Sequence, residues 1–222
     1  MKKIILFNAE DQTDLSIEAQ MADPKEFQLE LRNGCPDTDM GRICADADGV
    51  ITIYSSVNEQ ALSQMKHCKV VALQSIGFNN IDLAAATRHG VAVANAPGFC
   101  AQEVAAHTVA LLLACSRQVV HLANRVRNEK RWEYGGQKIK RLQGQTVGLI
   151  AFGQIPQMMV PMLKGFGLRV IAYGPRTPED IFKRLGVERA QNVEDLLRQA
   201  DYVSLHLPLN EQTADFMDTQ KF

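Results

Sequence analysis

The stretch Val147-Gly148-Leu149-Ile150-Ala151-Phe152-Gly153-Gln154-Ile155-Pro156 passes from an apolar run through a turn of small residues into a helical pattern. In that arrangement a dinucleotide pyrophosphate rests on the N–H groups of a helix N-terminus. The glycine positions of the frame G-x-G-x-x-G fall on Ala151, Gly153 and Pro156, so the middle glycine, which admits the closest approach of backbone to phosphate, is the one retained. Ala151 is a mild departure if its backbone angles are ordinary. Pro156 stands in the first turn, where a missing N–H costs little, and Pro161 predicts a kink. Taken alone, the pattern fits a nucleotide-binding turn and a plain strand-turn-helix of an α/β protein equally well. A site for NAD also places an acid about 20 residues on, at the end of the next strand, to hold the ribose 2′-hydroxyl. That position is Gly174, with Arg176 two residues later. Without a carboxylate to repel a 2′-phosphate, NADP is admitted beside NAD, and Arg176 reads either as a phosphate partner or as a solvated loop arginine.

Such a turn needs a parallel sheet to hold it. Residues 146–151, 168–173, 187–190 and 201–207 read as strands, with helices predicted at 154–166, 178–185 and 193–199 between them. Earlier, residues 4–7, 27–31, 49–54, 70–73 and 91–94 are strand candidates, and the alternating second one suits a sheet edge. Asn58 and Asp82 stand where helix N-caps belong, and Gly90 where a helix should end. A longer helix is predicted from Glu103, with Val104, Thr108, Leu111, Leu112, Cys115 and Val119 as its apolar stripe. Asn95-Ala96-Pro97-Gly98 punctuates the chain just before it. The expectation is an α/β protein of two domains. Residues 1–99 would be flavodoxin-like, and residues 100–222 would be a Rossmann domain, a doubly wound parallel sheet, incomplete at its C-terminus. The polar stretch 125–145 around Trp132 is expected over the surface. Asp218 would cap residues 219–222, a first turn too short to hold itself, so the chain reads as cut short there. The strand near Leu207 is then expected to leave a poorly covered edge, which favours a dimer.

The runs Ser75-Ile76-Gly77-Phe78-Asn79-Asn80-Ile81-Asp82, Gly90-Val91-Ala92-Val93-Ala94-Asn95-Ala96-Pro97-Gly98 and Glu103-Val104-Ala105-Ala106-His107-Thr108 resemble D-isomer-specific 2-hydroxyacid dehydrogenases. So do Gly153-Gln154-Ile155 and Ala200-Asp201-Tyr202-Val203-Ser204-Leu205-His206-Leu207-Pro208-Leu209, with Thr213. Order and spacing agree over nearly the whole chain, most closely with phosphoglycerate-dehydrogenase-like and C-terminal-binding-protein-like members. The resemblance implies hydride transfer between NAD or NADP and a 2-hydroxy or 2-keto acid, with the first domain binding substrate. Ser75, Ile76 and Gly77 match the loop whose N–H groups hold the substrate carboxylate, and a glycine-containing turn after a strand is a fair anion nest; by itself it is also an ordinary βα turn. Thr108 matches a position near the nicotinamide half. Gln154 and Ile155 match the pyrophosphate-facing pair, and His206, Pro208 and Thr213 match the wall around ribose and adenine. Apart from the resemblance, His206 reads as a histidine capping a strand end. The family's catalytic arginine, glutamate and histidine fall downstream of Pro208, and His67, His89, His107 and His121 match none of them. A nucleotide-sensing or regulatory module without catalysis, and a non-functional fragment, remain open as other readings.

Composition removes other classes. At 222 residues and 46% hydrophobic, the chain can bury one large core or two small ones. A net charge of -1 leaves no basic face for nucleic acid. The five cysteines contain no C-x-x-C pair and read as reduced core thiols, without a metal site. The apolar run after Lys3 is too short for a signal peptide, and no run approaches the roughly 20 residues of a membrane span, so a soluble cytoplasmic protein is expected.

Overall fold

The computed structural model describes residues 1–9, 14–132 and 139–221. The chain divides into two compact units, Met1–Phe99 and Cys100–Phe222.

In the first unit β1 (Lys2–Phe7), β2 (Phe27–Arg32), β3 (Gly49–Thr52), β4 (Val70–Leu73) and β5 (Ala92–Ala94) form one sheet in the order β2-β1-β3-β4-β5. Every pairing is parallel, and the order is that of flavodoxin-like sheets. Between the strands run α1 (Ser16–Met21), α2 (Met40–Ile43), α3 (Glu59–Gln64) and α4 (Leu83–Arg88), with a 3-10 turn at Asp37–Asp39. The alternating β2 is the edge strand, paired through β1. Asn58 and Asp82 are the N-caps expected of them: their carboxamide and carboxylate oxygens accept from Ala61 N–H at 3.0 Å and Ala85 N–H at 2.8 Å. Ile5, Phe7, Val50, Val71 and Leu73 pack with Met40, Leu62 and Met65 as the core. β3 stops at Thr52, short of the expected Tyr54, which is exposed. Cys44 and Cys68 are buried in this core, where desolvation pushes the Cys44 thiol up to about 12 and raises that of Cys68, so neither is a ready nucleophile.

The second unit opens with α5 (Ala101–Ser116) and α6 (Val119–Asn128), whose axes differ by 60° across a left-handed Gln118 at φ 52°. Then come β6 (Thr146–Ile150), α7 (Gln154–Gly165), β7 (Arg169–Tyr173), α8 (Glu179–Leu185), β8 (Glu188–Arg189), α9 (Val193–Gln199) and β9 (Tyr202–Leu205). All pairings are parallel, in the order β8-β7-β6-β9. α7 continues through Pro161 to Gly165.

The stripe expected to be the buried face of α5 holds in part: Leu112 packs against the core and Thr108 is half-buried. Ala101, Ala105 and Val109 are buried, whereas Val104, Leu111, Cys115 and Val119 are exposed. α5 is apolar nearly all round, so periodicity did not choose its inner face; α5 packs on α7, and small alanines permit that approach. Residues 125–128, expected over the surface, are the last turn of α6, which buries no residue. Residues 133–138 of that stretch, and Phe222 of the C-terminal turn, lie outside the described residues. Asp218 does act as a cap, accepting from Gln220 and Lys221 N–H groups at 3.1 Å each. Among the described residues no single helix is long and apolar enough to cross a membrane.

Candidate nucleotide-binding site

The chain leaves β6 toward β7 and β8 on one side and returns as β9 on the other. Helix connections therefore part at the C-terminal end of β6, the switch point at which open parallel sheets take their ligands. β6 is buried at every residue. Past it, Ala151 adopts φ 67°. The condition for a mild departure is not met: the turn keeps the left-handed bend that a glycine makes freely, and an alanine bears it at a cost of roughly 1–2 kcal/mol.

Gly153 is the N-cap of α7, in extended conformation with φ -82° and ψ -159°. A Cβ built there meets nothing within 4 Å, so open space lies before the helix. Gln154 and Ile155 supply the first two N–H groups, which have no acceptor within a helix and none elsewhere among the described residues. Pro156, buried in the same turn, has no N–H to add. Open space and two free donors at a helix N-terminus fit phosphate oxygens, with one donor fewer than a three-glycine turn presents.

The neighbouring strand ends are tied to this turn. The Phe152 carbonyl accepts from Gln157 Nε2 at 2.9 Å and from the Thr177 hydroxyl at 3.0 Å, joining it to the loop after β7. Gly174 lies buried in that loop, Arg176 exposed beyond it. On the other side, His206 N–H donates to the Ile150 carbonyl at 2.9 Å, and the His206 ring Nε2 lies 3.0 Å from the Ser204 hydroxyl. Desolvation holds the His206 imidazole below the usual histidine range. Residues 153–155, 174 and 206 are thus gathered at the ends of three adjacent strands. Pro208 and Thr213 form a clasp in the loop after β9, where the Thr213 hydroxyl donates to the Pro208 carbonyl and accepts from Asn210 N–H at 3.0 Å. Thr108 is half-buried on α5, its hydroxyl donating to the Val104 carbonyl at 2.7 Å.

The sequence reading missed Thr177 and Arg189. Arg189 places its guanidinium over the Phe182 ring, 5.1 Å from the centroid, and beside the Gly174 and Pro175 carbonyls. No spacing rule marks a lone arginine in a two-residue strand, whereas the hydroxyl of Thr177 just ahead of α8 was a visible signal.

In the first unit, residues 75–77 follow β4. Their carbonyls are occupied: Ser75 O accepts from Ala96 N–H at 3.0 Å, Ile76 O from Asn95 Nδ2 at 2.8 Å, and Gly77 O from the Ser75 hydroxyl at 2.8 Å. Among the described residues their N–H groups have no protein acceptor, which leaves a cluster of donors open to an anion.

Fold and site together define an α/β protein with parallel sheets and a helix N-terminus with free N–H donors at a switch point. Residues 109–222 match the family model described as D-isomer specific 2-hydroxyacid dehydrogenase, NAD binding domain. The chain is 31% identical over 84% of its length to a D-3-phosphoglycerate dehydrogenase of Methanocaldococcus jannaschii, covering 36% of it. To a glyoxylate reductase of Aeropyrum pernix it is 35% identical over 76% of its length, covering 52% of that protein. Among solved structures, D-lactate dehydrogenase from Aquifex aeolicus complexed with NAD and lactic acid superposes with a TM-score of 0.79 and 25% identity, over 94% of this chain and 62% of that one. The chain belongs to the D-isomer-specific 2-hydroxyacid dehydrogenase family, and its second unit carries the family's NAD-binding domain. It spans about a third to a half of the length of these two curated relatives.

Two outcomes follow. Ala151→Gly relieves the left-handed strain and raises the stability of the second unit by about 1 kcal/mol, read as a higher urea midpoint; an unchanged or lower midpoint would show that the bend is not strained. For His206 the unfolded chain takes up a proton as pH falls through about 6.5, while the folded chain, its pKa held lower, does not. Stability contributed by the neutral ring is therefore complete above that pH and declines as pH drops toward the folded value, and His206→Gln flattens the slope. A wild-type urea midpoint independent of pH across this window would contradict the assignment.

Proposed function

We propose that the chain is the N-terminal part of an oxidoreductase that moves hydride between NAD or NADP and a 2-hydroxy or 2-keto acid. The observation that carries this is the pair of free N–H donors at Gln154 and Ile155, facing open space at Gly153 on the switch point of a parallel sheet. Residues 1–99 form the substrate-binding domain, residues 100–222 the cofactor domain. In the first, the N–H groups of Ser75, Ile76 and Gly77 hold the substrate carboxylate. In the second, Gly153, Gln154 and Ile155 hold the pyrophosphate, Gly174 and Arg176 border the adenosine ribose, and His206, Pro208 and Thr213 wall the adenine side, with Thr108 toward the nicotinamide. The bound nicotinamide supplies or accepts the hydride. Arginine, glutamate and histidine from a segment past residue 222 polarise the keto acid and carry the proton. The named relatives point to short acids as substrates, of the size of glyoxylate or 3-phosphoglycerate.

The working protein is a cytoplasmic homodimer. Leu111 on α5 and Val119, Val120 and Val126 on α6 are all about half exposed or more, an apolar surface that a second copy would cover. β9, at the edge of the sheet, presents a further unpaired side.

Titration of the 222-residue chain with NADH and with NADPH, followed by nicotinamide fluorescence, tests the cofactor reading. Saturable binding that Gly153→Val weakens by about tenfold or more, with the circular dichroism retained, supports it. A folded chain that binds neither dinucleotide would sink it. Sedimentation equilibrium tests assembly: the native chain is expected as a dimer and Leu111→Asp with Val120→Asp as a folded monomer. A native monomer at micromolar concentration would refute the dimer.

A further inference from the structure

We propose that Arg189 selects the phosphorylated cofactor, so that the site at the end of β7 takes the adenosine 2′-phosphate of NADP(H) in preference to the 2′-hydroxyl of NAD(H). This rests on the cofactor reading above and adds to it a residue and a preference.

The acid that would hold a 2′-hydroxyl and repel a phosphate is missing at Gly174, and the packing there excludes it. A Cβ at Gly174 would come within 2.8 Å of the Phe152 Cβ and within 2.8 Å of the Thr177 hydroxyl, which is itself held by the Phe152 carbonyl. No acidic side chain enters without shifting the pyrophosphate turn. The selecting charge must come from another element.

Arg189 supplies it from β8. Its Nη2 lies 3.4 Å from the carbonyls of both Gly174 and Pro175, which places the guanidinium beside the backbone of the loop after β7. The Phe182 ring lies beneath it, 5.1 Å from centroid to guanidinium carbon. It opens on a pocket of about 240 Å³ lined by Tyr173, Pro175, Glu179, Arg189, Ala190 and Gln191. A planar guanidinium with five donors is the side chain best matched to a phosphate, and Arg176 is a further cation, exposed on the loop after β7.

One group opposes this. Glu179 lines the pocket and pairs with Arg189 Nη1 at 3.1 Å. Its side chain is 53% exposed, so the pair is solvent-screened and weak, and a dianionic phosphate competes for the arginine on better terms. In the absence of nucleotide, Glu179 keeps Arg189 oriented as a stand-in anion.

Calorimetric titration of the 222-residue chain with 2′,5′-ADP and with 5′-AMP isolates the adenosine end. 2′,5′-ADP is expected to bind about tenfold or more tightly than 5′-AMP. Arg189→Leu, which keeps apolar contact with Phe182, abolishes that ratio, and Glu179→Gln widens it by freeing the arginine, an effect that a purely bracing Arg189 would not produce. Equal binding of the two nucleotides, or tighter 5′-AMP, overturns the preference while leaving the cofactor reading intact. A ratio that survives Arg189→Leu overturns the role of Arg189 in the same way. Failure of both nucleotides to bind the folded chain removes both proposals together. Should Arg189→Leu not fold, a Glu179→Gln ratio no wider than that of the native chain is sufficient to overturn the assignment.

Discussion

β6 is hydrogen-bonded on both sides, to β7 and to β9, and every residue of it is buried. Where it ends, the turn into α7 begins from a fixed point. Gly148 in the middle of that strand lets α9 lie directly on the sheet, since a Cβ there would fall 2.4 Å from Leu196 Cδ2. With the strand pinned and a helix pressed against it, residues 151–153 have little freedom to choose their angles. The left-handed Ala151 is the outcome: the scaffold imposes a glycine's bend and the alanine conforms, its strain offset by the surrounding packing.

The first unit solves a similar problem with polar side chains. Asn8 follows β1 with φ 48°; its carboxamide donates to the Cys35 carbonyl at 2.7 Å and accepts from Cys35 N–H at 3.1 Å. Asn80 Nδ2 donates to the Ser55 carbonyl at 2.9 Å. These bonds lash the loops at the C-terminal ends of the strands to one another, and the turn at residues 75–77 sits among them with its carbonyls satisfied. What remains unsatisfied there is a set of N–H groups, so the polarity left over on this side of the sheet is positive. The two units thus present the same sign at their strand ends by different means, a helix N-terminus in one and a braced turn in the other.

Strands were legible because parallel, doubly covered strands read as continuous apolar runs, and the caps Asn58 and Asp82 were legible because a single side-chain hydrogen bond defines them. α1, with no buried residue and no side-chain cap, left no such mark, and neither did α2. On α5 the sequence carried two usable apolar faces, and the choice between them was made by α7, a tertiary partner that periodicity does not see. The site was legible where a motif is local, as at residues 153–155 and 75–77. It was not legible where it depends on what strand order brings together, as with Arg189 crossing from β8 to the end of β7.

The same division bears on how this chain would hold a dinucleotide. Replacing the third glycine by Pro156 removes a donor from the turn before α7 without disturbing the helix, because an N–H in the first helical turn has no acceptor inside the helix. On the proposed reading the loss falls on ligand affinity and leaves stability alone. A turn with two donors gives less of the binding energy, so a larger share must come from contacts at the ends of β7 and β9. Those ends are built in advance: His206 is tied to Ile150 through its backbone, and Arg189 lies over the Phe182 ring before any ligand arrives. Preorganised side chains lose little entropy on binding, which makes the strand ends better able to compensate than a loop that must first be ordered.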